Sequence, residues 1–148
     1  MDASNEEFGP VDIVVIAYPA DAPMTGDAIP IVMDLVDRGI IRILDVLFVI
    51  QNDDGTVSGF EAQDLEPGKA GDFKVFEGAS TGLLGEEDAA TAAAAIEPGS
   101  AAVLIAYENR WAAPFAAAVR RNGGVLVDFQ RIPVADLISA LDAVEATA

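Results

Sequence analysis

The chain has 148 residues, with 25 Asp plus Glu against 8 Lys plus Arg and a formal net charge of −17. That balance speaks against nucleic acid and anionic lipid as partners, because phosphate repels it; solubility, a salty cytoplasm, a cationic partner or a bound metal are the readings it leaves. Cysteine and histidine are absent, which removes disulfides, thiolate nucleophiles, Ser-His triads and every Cys- or His-ligated metal site.

Apolar residues make up 52% of the chain, too many for a disordered polymer, and the length suits one domain with its own core. The acidic opening through Pro10 lacks the basic and apolar regions of a signal peptide. No apolar run approaches the roughly 20 residues of a spanning helix; the longest, from Ile40 to Ile50, is broken by Arg42 and Asp45. A soluble cytoplasmic protein is expected, with a mobile N-terminal segment over residues 1–9 and a single α+β domain over residues 10–145.

In chain order, residues 11–18 form a near-continuous apolar run of strand length with one charge, Asp12. Pro19, Pro23 and Gly26 make a loop. Thr25 or Asp27 can cap a helix whose first turn tolerates Pro30, since the early N–H groups have no intrahelical partner. Its buried stripe is Ile31, Val32, Leu35 and Val36, and Gly39 supplies the left-handed C-terminal residue. A second strand over 40–51 runs into Asn52-Asp53-Asp54-Gly55, a tight hairpin turn. Residues 56–63 return as a short partner strand, and the Gly-rich stretch 64–85 has no clear period. Glu86, Glu87 and Asp88 then precede an Ala-rich helix over 89–96, where the helix dipole favours negative charge.

From Ser100 the pattern repeats. Residues 101–107 form a strand, Asn109 is a cap, and residues 111–121 form a helix with Pro114 near its start and Gly123 after its end. Residues 125–132 read as another strand. Pro133 opens a last helix with Val134, Leu137, Ile138, Leu141 and Val144 on one face. The words Val14-Val15-Ile16-Ala17-Tyr18 and Val103-Leu104-Ile105-Ala106-Tyr107 match, and Pro30 precedes Gly39 by the same nine positions as Pro114 precedes Gly123.

Two β-α-β units predict a ferredoxin-like fold: a four-stranded antiparallel sheet with the two matched strands side by side at its centre, plus an extra hairpin strand and a C-terminal helix. Those strands are apolar on both faces, whereas the crossover helices cover one. The Ala-rich helix, the C-terminal helix or another subunit must cover the second. A carboxylate at Val15 or Ile105 is expected to cost several kcal/mol as an unpaired charge in a core strand.

Gly9-Pro10-Val11, Arg42-Ile43-Leu44-Asp45, Asp54-Gly55-Thr56-Val57, Gly82-Leu83-Leu84 with Glu86-Glu87-Asp88, Pro98-Gly99-Ser100, and Trp111-Ala112 leading to Ala118-Val119-Arg120-Arg121 together resemble the actinobacterial domain-of-unknown-function family 6325 over almost the whole chain. That family is also similar to a wider group of predicted membrane-associated proteins with a glycine-zipper insert, replaced here by the polar stretch 66–88. The resemblance implies one intracellular domain and transfers no activity or catalytic residues.

The segment with the most chemistry is Tyr107, Glu108, Asn109, Arg110 and Trp111, between a central strand and the start of its helix. Such a place can present polar groups to a ligand. The plainer reading pairs Arg110 with a carboxylate and uses Trp111 to plug the core or a subunit contact. Asp45 and Asp128 interrupt apolar strands, either as buried bases or, more simply, on the solvent side or paired with Arg42 or Arg131. Asp53-Asp54-Gly55 lacks the downstream ligands of a calcium loop, and Gly82-Leu83-Leu84-Gly85 lacks a nucleotide-binding pattern. No catalytic residue, metal site or cofactor is expected. The expected function is a non-catalytic, self-assembling or adaptor domain, homo-oligomeric through apolar surfaces, with another protein as a further possible partner. The alternatives are a small-molecule sensor binding near Trp111 and, third, a cofactor-independent enzyme.

Overall fold

The computed structural model describes residues 8–23, 26–61 and 81–147. In chain order these form β1 (Val11–Tyr18), α1 (Ala28–Asp37), β2 (Ile41–Gln51), β3 (Val57–Glu61), α2 (Glu86–Ala94), β4 (Ala101–Asn109), α3 (Ala112–Arg121) and α4 (Val134–Thr147). The strands make one open antiparallel sheet in the order β1-β4-β2-β3, which is an α+β architecture. Thr25 as a helix cap, the end of the return strand at 62–63 and the polar stretch through residue 80 lie outside the described residues, as does the lead-in before Phe8.

The two matched words are neighbours, with Val14 opposite Ile105 and Val15 opposite Leu104. β4, apolar from Ala101 to Ala106, takes the interior position between β1 and β2 and is largely buried. β1 is not central, however. The strand expected over residues 125–132 has no regular structure and is absent from the sheet, so among the described residues no strand pairs with the outer edge of β1. The fourth strand is instead β3, brought back beside β2 by the Asn52–Gly55 turn, in which Gly55 takes φ +88°. A short local turn closes this ladder at small entropic cost, whereas residues 125–132 must return across a helix.

The sheet has helices on both faces. On one, α1 inserts Ile29, Val32 and Met33 against Val46, Phe48, Val103 and Ile105. On the other, Ala89, Ala92 and Ala93 of α2 lie on Leu47, Val49, Leu104 and Ala106. The Ala-rich helix therefore supplies the second-face cover over β2, β3 and β4, and its small side chains allow a close approach to the sheet. It begins at Glu86, earlier than its alanines suggest, and the Asp88 carboxylate accepts from the Gly85 N–H at 2.9 Å. The C-terminal helix α4 has no buried residue and joins neither core cluster among the described residues.

α1 and α3 are alike in detail. Each has 10 residues, Pro at its third position and Gly two residues past its end, at φ +72° for Gly39 and +86° for Gly123. That left-handed turn lets Ile40 N–H return to the Leu35 carbonyl and directs the chain into β2.

Candidate functional site

Strand alternation divides the five residues at the end of β4. Glu108 lies opposite Val11 and Arg42 on the α2 side, while Tyr107, opposite Asp12, lies on the α1 side. Glu108 is 2% exposed. Its Oε2 accepts from the Gly9 N–H at 2.8 Å. Its Oε1 lies 2.9 Å from Arg42 Nε, as an ion pair whose Nε–H is not aligned for a hydrogen bond. The guanidinium of Arg42, still partly in solvent, stacks over the Phe8 ring at 5.4 Å. Both groups are occupied in joining the start of β1 to the sheet, and Glu108 is closed to a ligand.

Gly9 explains why that junction needs glycine. A Cβ there would lie 1.9 Å from the Asn109 carbonyl oxygen. Phe8 and Gly9, grouped with the lead-in on sequence, are thus held against β4 and Arg42.

On the α1 side a pocket of about 280 Å³ is lined by Asp12, Asn109, Trp111, Phe129, Gln130 and Arg131. Asn109 Nδ2 donates to the Pro10 carbonyl at 3.1 Å and to Asp12 Oδ2 at 2.9 Å. Arg131 donates to the same Asp12 oxygen at 3.0 Å and to the Tyr107 hydroxyl at 2.7 Å. Its pKa is raised above the ordinary arginine value, first by the charge of Tyr107 and then by Asp12. Trp111, half-exposed, meets Phe129 edge-on at 6.3 Å and an angle of 76°. Asn109 and Trp111 are therefore brought together, with Tyr107 tied in through Arg131. Arg110 is exposed and outside this pocket, and no carboxylate among the described residues pairs with it.

Four of the lining residues, Asp12, Phe129, Gln130 and Arg131, went unread as site residues in the sequence. The one available signal was Asp12, the single charge in β1. Its partners come from 97 and 119 positions away, beyond the reach of any local pattern.

The remaining carboxylates separate cleanly. Asp45 is fully buried at 0% exposure, on a bulge where the β2–β4 register shifts between Ile43 and Asp45. Its Oδ1 accepts from the Val46 N–H at 3.0 Å and its Oδ2 from the Leu84 N–H at 2.8 Å. It neither faces solvent nor pairs with Arg42: it fastens the segment before α2 onto β2. Asp128 is exposed and accepts from Gln130 Nε2 at 2.8 Å, while Arg131 goes to Asp12 instead. Asp54 closes the hairpin, accepting from the Thr56 hydroxyl at 2.6 Å and N–H at 2.9 Å, and those bonds lower its pKa, the hydroxyl most. Among the described residues no group of three or more carboxylates is placed to hold a metal ion. A second hollow, of about 490 Å³, lies between α2 and the β2–β3 hairpin, walled by Leu47, Val57, Ala89 and Ala90 with Glu61 and Glu86 at its polar side.

Together these features define an α+β fold with an open four-stranded sheet, helices on both of its faces and an exposed C-terminal helix. The chain belongs to the family of unknown function DUF6325, whose model matches residues 7–147. No curated protein and no solved structure matches it. Among the described residues no helix is long and apolar enough to cross a membrane.

Proposed function

We propose that the domain is a non-catalytic self-assembling module, forming homo-oligomers through apolar surface that the single chain leaves uncovered. The observation that carries this reading is α4. It is 14 residues long with none buried, and its whole apolar stripe faces solvent. A helix of that length is marginal in water unless it packs. β1 offers the complementary surface: an eight-residue edge strand without Lys or Pro, with Val11, Ile13 and Val15 half-exposed. Uncovered apolar surface on this scale marks an interaction site.

The ferredoxin-like reading belongs with this proposal. Residues 125–132 would close onto β1 as its outer neighbour. The Arg131–Asp12 contact, which brings the end of that segment to the start of β1, supports this reading.

Native mass spectrometry and light scattering on the full chain at micromolar concentration test the proposal. The expected result is a dimer or larger species that strengthens with salt, because two chains of charge −17 repel until screened. A monomer at every ionic strength refutes it. A sensor is the second reading, supported by the pocket beside Trp111. It expects a retained ligand in the same spectra, or a shift of Trp111 fluorescence on adding candidate metabolites.

A further inference from the structure

We infer that the pocket beside Trp111 binds a free aromatic α-amino acid as its zwitterion, with the carboxylate on Arg131, the ammonium on Asp12 and the side chain against Trp111 and Phe129. This rests on the sensor reading of that pocket and adds to it the chemical class of the ligand.

The bonding capacity left over in the pocket carries the assignment. Arg131 and Asp12 are joined through one atom each, Nη2 to Oδ2 at 3.0 Å. The second bond of Arg131, to the Tyr107 hydroxyl, also leaves from Nη2, and Asn109 donates to the same Asp12 Oδ2. Among the described residues, Arg131 Nη1 and Nε and Asp12 Oδ1 therefore take part in no hydrogen bond, and both side chains reach solvent. A guanidinium holds its N–H donors in a planar fork, and a carboxylate fills two of them at once. A carboxylate oxygen such as Asp12 Oδ1 is matched by an ammonium. In an α-amino acid the two charged groups share one carbon. They sit close enough together to lie antiparallel along the Asp12–Arg131 pair, each against its opposite charge.

Charge and size narrow the choice further. A plain anion would satisfy Arg131 but meet Asp12 within a chain of charge −17. A plain cation would satisfy Asp12 but meet Arg131. A zwitterion carries no net charge and meets neither repulsion. The pocket, at about 280 Å³, lies just below the range of sites for drug-sized ligands, which suits a molecule as small as one amino acid. Its apolar wall is aromatic: Trp111 and Phe129 meet edge-on at 6.3 Å, and each is still about half-exposed. A third ring packed on this pair gains ring–ring attraction that an aliphatic side chain does not.

Trp111 is the sole tryptophan, so its emission reports this pocket alone. The full chain is titrated with phenylalanine, with hydrocinnamate, which lacks the ammonium, and with phenylalaninamide, which lacks the carboxylate. Phenylalanine is expected to shift the emission saturably, and each analogue to bind about tenfold more weakly, the lower end for a charged hydrogen bond because the site is half-open. Asp12→Asn is expected to erase the preference over hydrocinnamate and Arg131→Gln the preference over phenylalaninamide, a crossed pattern that a merely structural role of either residue does not produce. Equal binding of the three compounds by the parent chain overturns the assignment whether or not the variants fold, and so does a preference that survives in its matching variant. No response to phenylalanine up to about 10 mM, where even a millimolar Kd would fill most of the site, also overturns it. In that case another molecule retained in the native mass spectra leaves the sensor reading standing, and the absence of any retained molecule removes both.

Discussion

Replacing Glu108 by alanine tests whether the end of β4 is a structural junction rather than a ligand site. The substitution removes the acceptor for the Gly9 N–H, a buried bond at 2.8 Å, and an orphaned donor costs about 1–3 kcal/mol. It also removes the anion facing Arg42. Losing one partner of a fully buried pair costs about 3–5 kcal/mol, but the Arg42 side chain is 42% exposed and can turn to water. A total of about 2–4 kcal/mol follows, or roughly 6–12 °C in melting temperature for a domain of this size. Arg42→Ala should cost at least as much, because it strands a buried carboxylate on one N–H. The double variant should cost less than the two singles together, with about 1–3 kcal/mol of coupling. Urea unfolding followed by far-ultraviolet circular dichroism and Trp111 fluorescence measures all three. Strictly additive losses, or a Glu108→Ala melting point within about 2 °C of the parent, refute the junction.

Asp45→Ala should destabilise by about 2–4 kcal/mol, because the Leu84 and Val46 N–H groups lose their acceptor in a fully buried place; an unchanged urea midpoint contradicts this. Gly9→Ala forces the chain off the Asn109 carbonyl and should cost about 1–3 kcal/mol by overpacking, with loss of the Glu108 bond beyond that; thermal unfolding decides it. Ile105→Asp and Val15→Asp should part company. Ile105 is 7% exposed and its substitution should cost several kcal/mol, whereas Val15, at 52%, should cost about 1 kcal/mol in the single chain. Equal losses in denaturant would show Val15 to be covered.

Several elements are determined by the sequence itself. The β-branched runs of β1 and β4, the Pro30–Gly39 and Pro114–Gly123 frames of α1 and α3, and the Asp54-Gly55 turn are legible because side-chain periodicity and glycine's positive φ act within a few residues. The pairing of the two matched strands was legible as well, since two-sided apolar strands seek each other's company in a sheet interior.

What only the tertiary structure decided is which groups meet over long separations. Periodicity places Glu108 on a face but does not show that Gly9 and Arg42 await it there, 99 and 66 positions back. Asp45 looks like a solvent-facing break in an apolar strand until Leu84 N–H, 39 positions on, is brought onto it. Residues 125–132 have the composition of a strand, yet strand formation needs a ladder partner, and in the single chain their apolar side chains stay in solvent, Val127 at 90% exposure. Local propensity specifies what a segment can become; the surface available to it decides what it does become.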